Sequence, residues 1–172
     1  KQLMMKKSIA TLALTIIGFV SQAQTVEIKS NAFGMIFGAF NVTAEFQLED
    51  NPSITVLGSV WYNTEEFKDW MYIDRDGGLS AGVRQYFNLY EDQGVFIGAA
   101  TRYISSTAGY TSGDINDDYA SLGFTIGYKY IYNDKISVDA FIGGGRILWE
   151  ARDQSYRGPA EFISGFNFGY RF

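Results

Sequence analysis

The 172-residue chain contains no cysteine, no histidine and only two prolines. Without cysteine there can be no disulfide framework, no thiolate metal site and no lipid-bearing thiol. Without histidine, hydrolysis by a Ser–His or Asp–His pair is excluded, because no imidazole is present to move the proton. No two-carboxylate or Ser–Lys motif takes its place, and no motif calls for a cofactor. Positive charge is scarce too: 14 Lys and Arg stand against 19 Asp and Glu, for a net charge of −5. Lys1, Lys6 and Lys7 sit in the first segment, so the rest of the chain is more acidic still. A nucleic-acid partner is not expected, since phosphate binding needs a basic surface. Beyond residue 24 there is also no apolar run long enough for a transmembrane helix.

What the chain does have is aromatic residues, at 17%, together with 19 glycines. That mixture suits strands that pack closely and turn often. The opening segment differs from the rest. From Met5 it reads MKKSIATLALTIIGFVSQAQ, with Lys6 and Lys7 ahead of an apolar stretch from Ile9 to Val20. A basic start, a short apolar middle and the small residues Ser21 and Ala23 form the pattern of a secretory signal peptide. Residues 1–23 are therefore assigned as a signal peptide with upstream residues, cleaved after Ala23, and residues 24–172 as one β-barrel domain. Export by the Sec pathway follows from that assignment.

Past residue 24, segments of about ten residues alternate apolar and polar positions, which is the pattern of a transmembrane barrel strand. Eight such strands are expected, at roughly 25–32, 39–48, 53–62, 78–87, 95–105, 119–132, 136–149 and 160–172. In AFNVTAEFQL (39–48), Phe40, Val42, Ala44, Phe46 and Leu48 oppose Asn41, Thr43, Glu45 and Gln47. In YASLGFTIGYKYIY (119–132), Leu122, Phe124, Ile126, Tyr128, Tyr130 and Tyr132 share one face. In the last strand, Phe162, Phe166, Phe168, Tyr170 and Phe172 oppose Glu161, Asn167 and Arg171. Turns at 49–52, 88–94 and 133–135 are short, and the connections 63–77, 106–118 and 150–159 are longer. Short turns on one side and long loops on the other are the outer-membrane arrangement.

The fold expected is all-β, an eight-stranded antiparallel up-and-down transmembrane barrel. Its outward aromatics would meet the lipid interfaces. Its inward face would carry Glu27, Lys29, Glu45, Arg84, Arg102, Lys129, Asp139, Arg146, Glu161 and Arg171. Eight strands leave an interior just wide enough for side chains, so these charges should pair with one another as a structural network. Arg146 is placed inside by a bulge expected at Gly143-Gly144-Gly145, which would also turn Trp149 outward. Alternation alone does not say which face is inside. A soluble lipocalin-like barrel, apolar within, is the alternative.

Two loops carry candidate sites. In NTEEFKDWMYIDRDG (63–77), Phe67, Trp70, Met71 and Tyr72 stand among acids, and aromatics of this kind anchor partner proteins. In SGDINDDY (112–119), Asp114, Asn116, Asp117 and Asp118 are dense enough in oxygen to hold Ca²⁺. The stretch lacks the turn glycine and terminal glutamate of an EF-hand, so a solvated acidic loop is the plainer expectation.

The ending GFNFGYRF resembles the carboxy-terminal signal of outer-membrane barrels, with alternating aromatics closing on Phe. That resemblance implies that Phe166, Phe168, Tyr170 and Phe172 are read by the barrel assembly machinery. The stretch NAFGMIFGAFNVTAEFQLEDNPSITVLGSV, followed by AGVRQYF, is similar to a family of small Bacteroidota outer-membrane barrels of unknown function. More distantly, the architecture resembles the OmpX and OmpA barrel group. The resemblance implies a Gram-negative outer-membrane location and lipid contact, but no reaction. The expectation is a non-enzymatic barrel, structural or partner-binding through its outer loops, with a narrow channel for a small or apolar solute as the alternative. Deleting Phe172 should lower outer-membrane assembly in cells more than it lowers the stability of refolded protein. Normal assembly of the truncated chain would count against an assembly signal at this end.

Overall fold

Strand after strand turns back on its neighbour until the last meets the first. In the computed structural model, residues 23–31, 35–36, 38–64, 75–87, 93–110, 113–116, 118–151 and 159–172 are described. The strands are β1 (Ala23–Ser30), β2 (Ala39–Leu48), β3 (Ile54–Asn63), β4 (Arg75–Tyr86), β5 (Gly94–Tyr110), β6 (Gly113–Asn116), β7 (Tyr119–Tyr132), β8 (Ile136–Glu150) and β9 (Ala160–Arg171). Every pairing is antiparallel, and β4 pairs with β5 while β1 pairs with β9. Eight strands thus close a barrel with no free edge. The ninth, β6, pairs with residues 107–110 of β5 and extends that strand as a hairpin.

The short turns are set by local chemistry. Asn133 and Asp134 both adopt positive φ, at 52° and 57°, and the Lys135 N–H donates to the Tyr132 carbonyl at 3.2 Å. Two left-handed residues in a two-residue loop match the twist of the flanking strands, and Asn and Asp tolerate that conformation. At the seam, Glu27 faces Arg171 and Lys29 faces Gly169, while the Phe172 N–H donates to the Val26 carbonyl at 2.9 Å.

The alternation resolves into an apolar exterior and a charged interior. Phe124, Ile126, Tyr128, Tyr130 and Tyr132 of β7 all point outward, as do Val60, Tyr62, Leu79 and Val83. So do Phe162, Phe166, Phe168, Tyr170 and Phe172, with edge-to-face ring pairs at Phe166–Phe168 (5.1 Å) and Tyr170–Phe172 (5.0 Å). Buried within are Glu27, Lys29, Glu45, Arg84, Lys129 and Asp139. This polarity is the reverse of a lipocalin's, whose interior is apolar.

The interior has to be filled, and glycines make the space. A side chain at Gly165 would strike the Phe141 ring, with Cε1 at 2.6 Å from where its Cβ would lie. A side chain at Gly169 would strike Lys29, at 2.9 Å from Cγ. Phe141 and Lys29 therefore each sit against a neighbour that has no side chain, as close packing demands.

Two expectations need correction. The triple glycine does not bulge: Gly143, Gly144 and Gly145 pair one to one with Thr125, Phe124 and Gly123. The shift comes later, where Ser121 faces Ile147 and Ala120 faces Trp149, so Leu148 is the extra residue. Arg146 consequently stays on the outward face and is exposed, while Trp149 points outward beyond the bulge. The glycines serve volume instead, since a Cβ on Gly145 would lie 3.1 Å from the Glu161 side chain. The second correction concerns 106–118, which is not simply a loop: β5 runs on to Tyr110 and pairs with β6. Residues 1–22 lie outside the described residues, and so does the expected docking segment with Phe67, Trp70, Met71 and Tyr72.

Candidate functional site in the barrel lumen

Inward positions on five strands converge on one cluster of charge. Glu27 and Lys29 come from β1, Glu45 from β2, Arg84 from β4, Lys129 from β7 and Asp139 from β8. Lys29 Nζ lies 2.6 Å from Asp139 Oδ2, 2.7 Å from Glu45 Oε2 and 3.0 Å from Glu27 Oε1. Arg84 Nη1 reaches Glu45 Oε2 at 3.1 Å and Asp139 Oδ2 at 3.3 Å. Lys129 Nζ reaches Glu27 Oε2 at 2.7 Å and Glu45 Oε1 at 3.4 Å. Three cations thus meet three carboxylates, and the formal charges cancel.

Cancellation alone would not suffice, because each buried charge must also satisfy its remaining hydrogen-bonding capacity. The neighbours supply this. Tyr86 donates to Glu45 Oε1 at 2.6 Å and Thr55 donates to the same oxygen at 2.8 Å. Asn167 Nδ2 donates to Asp139 Oδ1 at 3.1 Å, and Ser137 donates to Glu27. Aromatic rings close the remaining sides. The Arg84 guanidinium lies 4.3 Å from the Phe96 ring centre and 5.3 Å from that of Phe141, and Lys129 Nζ lies 5.2 Å from that of Tyr86. Cation–π contacts of this kind strengthen when water is excluded, and Lys29 and Lys129 are 1% and 0% exposed.

A second, smaller pair lies toward the long-loop end. Arg102 meets Glu161 Oε1 at 3.1 Å, and Ser121 also donates to that oxygen. Arg171 points inward beside Glu27 at the seam. Arg146 joins neither group, for the reason given above. Inward Trp61, Phe96, Phe141 and Ile163 lie outside the expected charge network, although the alternation from Thr55, Gly98, Asp139 and Glu161 would have placed all four inside. In the hairpin, Asp114 and Asn116 fall on β6, and the Ser106 N–H donates to Asp118 Oδ1 at 3.2 Å. Among the described residues no group of three or more Asp, Glu, His or Cys is arranged to hold a metal ion.

The ion cluster fills the short-turn half of the lumen. The long-loop half holds a cavity of about 310 Å³, lined on its inward faces by residues that include Thr43, Ser59, Trp61, Arg75, Arg102 and Ile163. Arg84, Phe141 and Asn167 line it where it meets the cluster. The lumen is therefore a plug of ion pairs beneath a small chamber.

A family of proteins of unknown function, DUF3575, matches the chain over residues 9–164. The chain belongs to the DUF3575 family. No curated protein matches its sequence. Among solved structures, the N-terminal β-barrel domain of Pseudomonas aeruginosa OprF is similar, with a TM-score of 0.59 at 13% identity, over 87% of this chain and 98% of that one. Neisserial surface protein A (NspA) gives a TM-score of 0.49 at 12% identity, over 86% of this chain and 92% of that one. At such identity the OprF likeness establishes the fold alone: a closed eight-stranded antiparallel barrel of the kind found in outer membranes.

The cluster gives this DUF3575 chain a measurable dependence on Lys29. Replacing Lys29 by Met leaves Glu27, Glu45 and Asp139 against two cations, and breaking a buried pair from one side costs about 3–5 kcal/mol. Urea unfolding in lipid vesicles should show a loss of that order. A loss below about 1 kcal/mol, as for an exposed pair, would mean that the cluster is solvated.

Proposed function

We propose that the protein is a small, non-enzymatic outer-membrane barrel, exported by the Sec pathway, with a structural or partner-binding role exercised through its outer loops. The observation that carries this reading is the ion cluster: charges from five strands, fully paired, occupy the lumen where a channel would need water. The apolar exterior supports contact with outer-membrane lipid. The fold class supports the same location, and the sequence resemblance supports a Bacteroidota source. The C-terminal strand, with Phe166, Phe168, Tyr170 and Phe172 on its outward face, is the element assigned to recognition by the barrel assembly machinery. Recognition by another surface protein is assigned to residues 63–77, where Phe67, Trp70, Met71 and Tyr72 are the aromatic and thioether anchors.

Planar-bilayer recording tests the plug. The purified barrel should give no steady single-channel openings, because an ion would have to displace paired charges in a lumen of this width. Steady openings would replace the structural reading with a narrow channel. Pull-downs from native membranes address the loops: a partner retained by the natural chain should be lost when the four anchors are changed to Ser.

A further inference from the structure

The chamber above the ion cluster has a chemistry of its own. Among the described residues three arginines line it, Arg75, Arg84 and Arg102, and no carboxylate does. Two of the three are neutralised from behind, Arg84 by Glu45 and Asp139, and Arg102 by Glu161. Arg75 differs. It sits at the start of β4, opposite buried Ser106, with its guanidinium 6.0 Å from the Tyr119 ring centre. Among the described residues no ion pair or hydrogen bond satisfies that guanidinium. One uncompensated positive charge therefore faces the chamber.

A second observation points the same way. The Trp61 indole packs against Gly78, where an added Cβ would come within 2.8 Å of Cζ2. Its Nε1–H is buried and has no hydrogen-bond partner among the described residues. Buried N–H groups are nearly always paired, so one that lines a cavity is a donor in want of an acceptor. Leu57, Phe141 and Ile163 give the chamber apolar walls, and Ser59, Ser80 and Thr43 add hydroxyls. The volume lies at the small end of the range for ligand pockets, ~300–1,000 Å³.

We infer that the outer half of the lumen is a binding site for a small organic carboxylate: one negative charge set against Arg75, an oxygen accepting from Trp61 Nε1, and a ring-sized apolar body between Leu57, Phe141 and Ile163. A monoanion matches the single uncompensated cation. A phosphate dianion would leave charge buried, and it has no use for the apolar walls. The site goes beyond the structural role proposed above and stands or falls separately from it, since a sealed barrel can bind or not bind in its upper chamber.

Trp61 can report on this directly. The chain has three tryptophans, so a Trp70→Phe, Trp149→Phe chain in detergent leaves Trp61 as the only indole. Benzoate should change its emission saturably, while isosteric neutral benzamide and cationic benzylamine should not. Arg75→Gln should weaken benzoate binding by about tenfold or more, and Arg75→Lys, which keeps the charge, by less. The strand signal in circular dichroism shows that each variant is folded. No saturable change with benzoate, equal binding of benzamide, or an unchanged affinity in folded Arg75→Gln would each overturn the proposal. So would saturable binding of inorganic phosphate in place of benzoate.

Discussion

Lys29 is the point on which the interior depends. Its ammonium touches three carboxylates, each from a different inward position, and one of them lies 110 residues away on β8. An eight-stranded barrel has no room inside for bulk water around every charge. Charged residues placed inward must therefore meet partners of opposite sign within hydrogen-bonding distance, or the closed state is too costly to form. Here Lys29, Arg84 and Lys129 do this with Glu27, Glu45 and Asp139, and the contacts tie β1, β2, β4, β7 and β8 across the lumen as well as around the sheet. Such a network need not outperform an apolar core in energy. Its demand is geometric: removing one member exposes the rest as unpaired charge.

That demand divides the lumen. At the short-turn end the cluster fills the lumen with buried charge, with Tyr86 and Phe96 beside it. At the long-loop end several inward residues are small, among them Ser59, Ser80, Gly98, Ala100 and Gly123, and a chamber remains between them and the larger Trp61, Arg102 and Ile163. The same alternation that sends charge inward sends Phe, Tyr, Ile and Val outward, so filling the interior and exposing an apolar exterior are one consequence of period two on a closed sheet. The aromatic last strand is the clearest case. Phe162, Phe166, Phe168 and Tyr170 face out only because Glu161, Ile163, Asn167 and Gly169 face in.

Much of this was legible from residue order alone. Expected and observed strand bounds agree to within one residue over β2, β3, β7, β8 and β9, because their alternation is long and their turns carry Asn, Asp and Pro. Which face was inward for Glu27, Glu45, Lys129 and Asp139 also followed from alternation. Which charges meet did not, since Lys29 and Asp139 come together only across the β1–β9 seam and the full register. Arg146 shows the limit of local reasoning. A run of three glycines is compatible with a bulge and equally with a regular ladder that leaves space for Glu161, and only the facing strand decides between them. Trp61 was obscured for a related reason: the inward face of β3 mixes Leu57 and Trp61 with Thr55 and Ser59 and carries no charge to mark it. The extension of β5 through β6 depends on a local hairpin in a segment whose acidic composition pointed to a loop.

The central claim is the direction of the two faces, and the absence of cysteine makes it directly measurable. Single cysteines carrying spin labels can be placed at Val42, Val60, Phe166, Phe168 and Tyr170 on the outward face, and at Asn41 and Ser59 beside the chamber. In lipid vesicles, the outward labels should be relaxed strongly by oxygen dissolved in the bilayer and weakly by a water-soluble nickel complex. The chamber labels should not share that oxygen response. Oxygen accessibility at Asn41 and Ser59, with the outward labels exposed to the aqueous reagent, would invert the barrel and contradict the account.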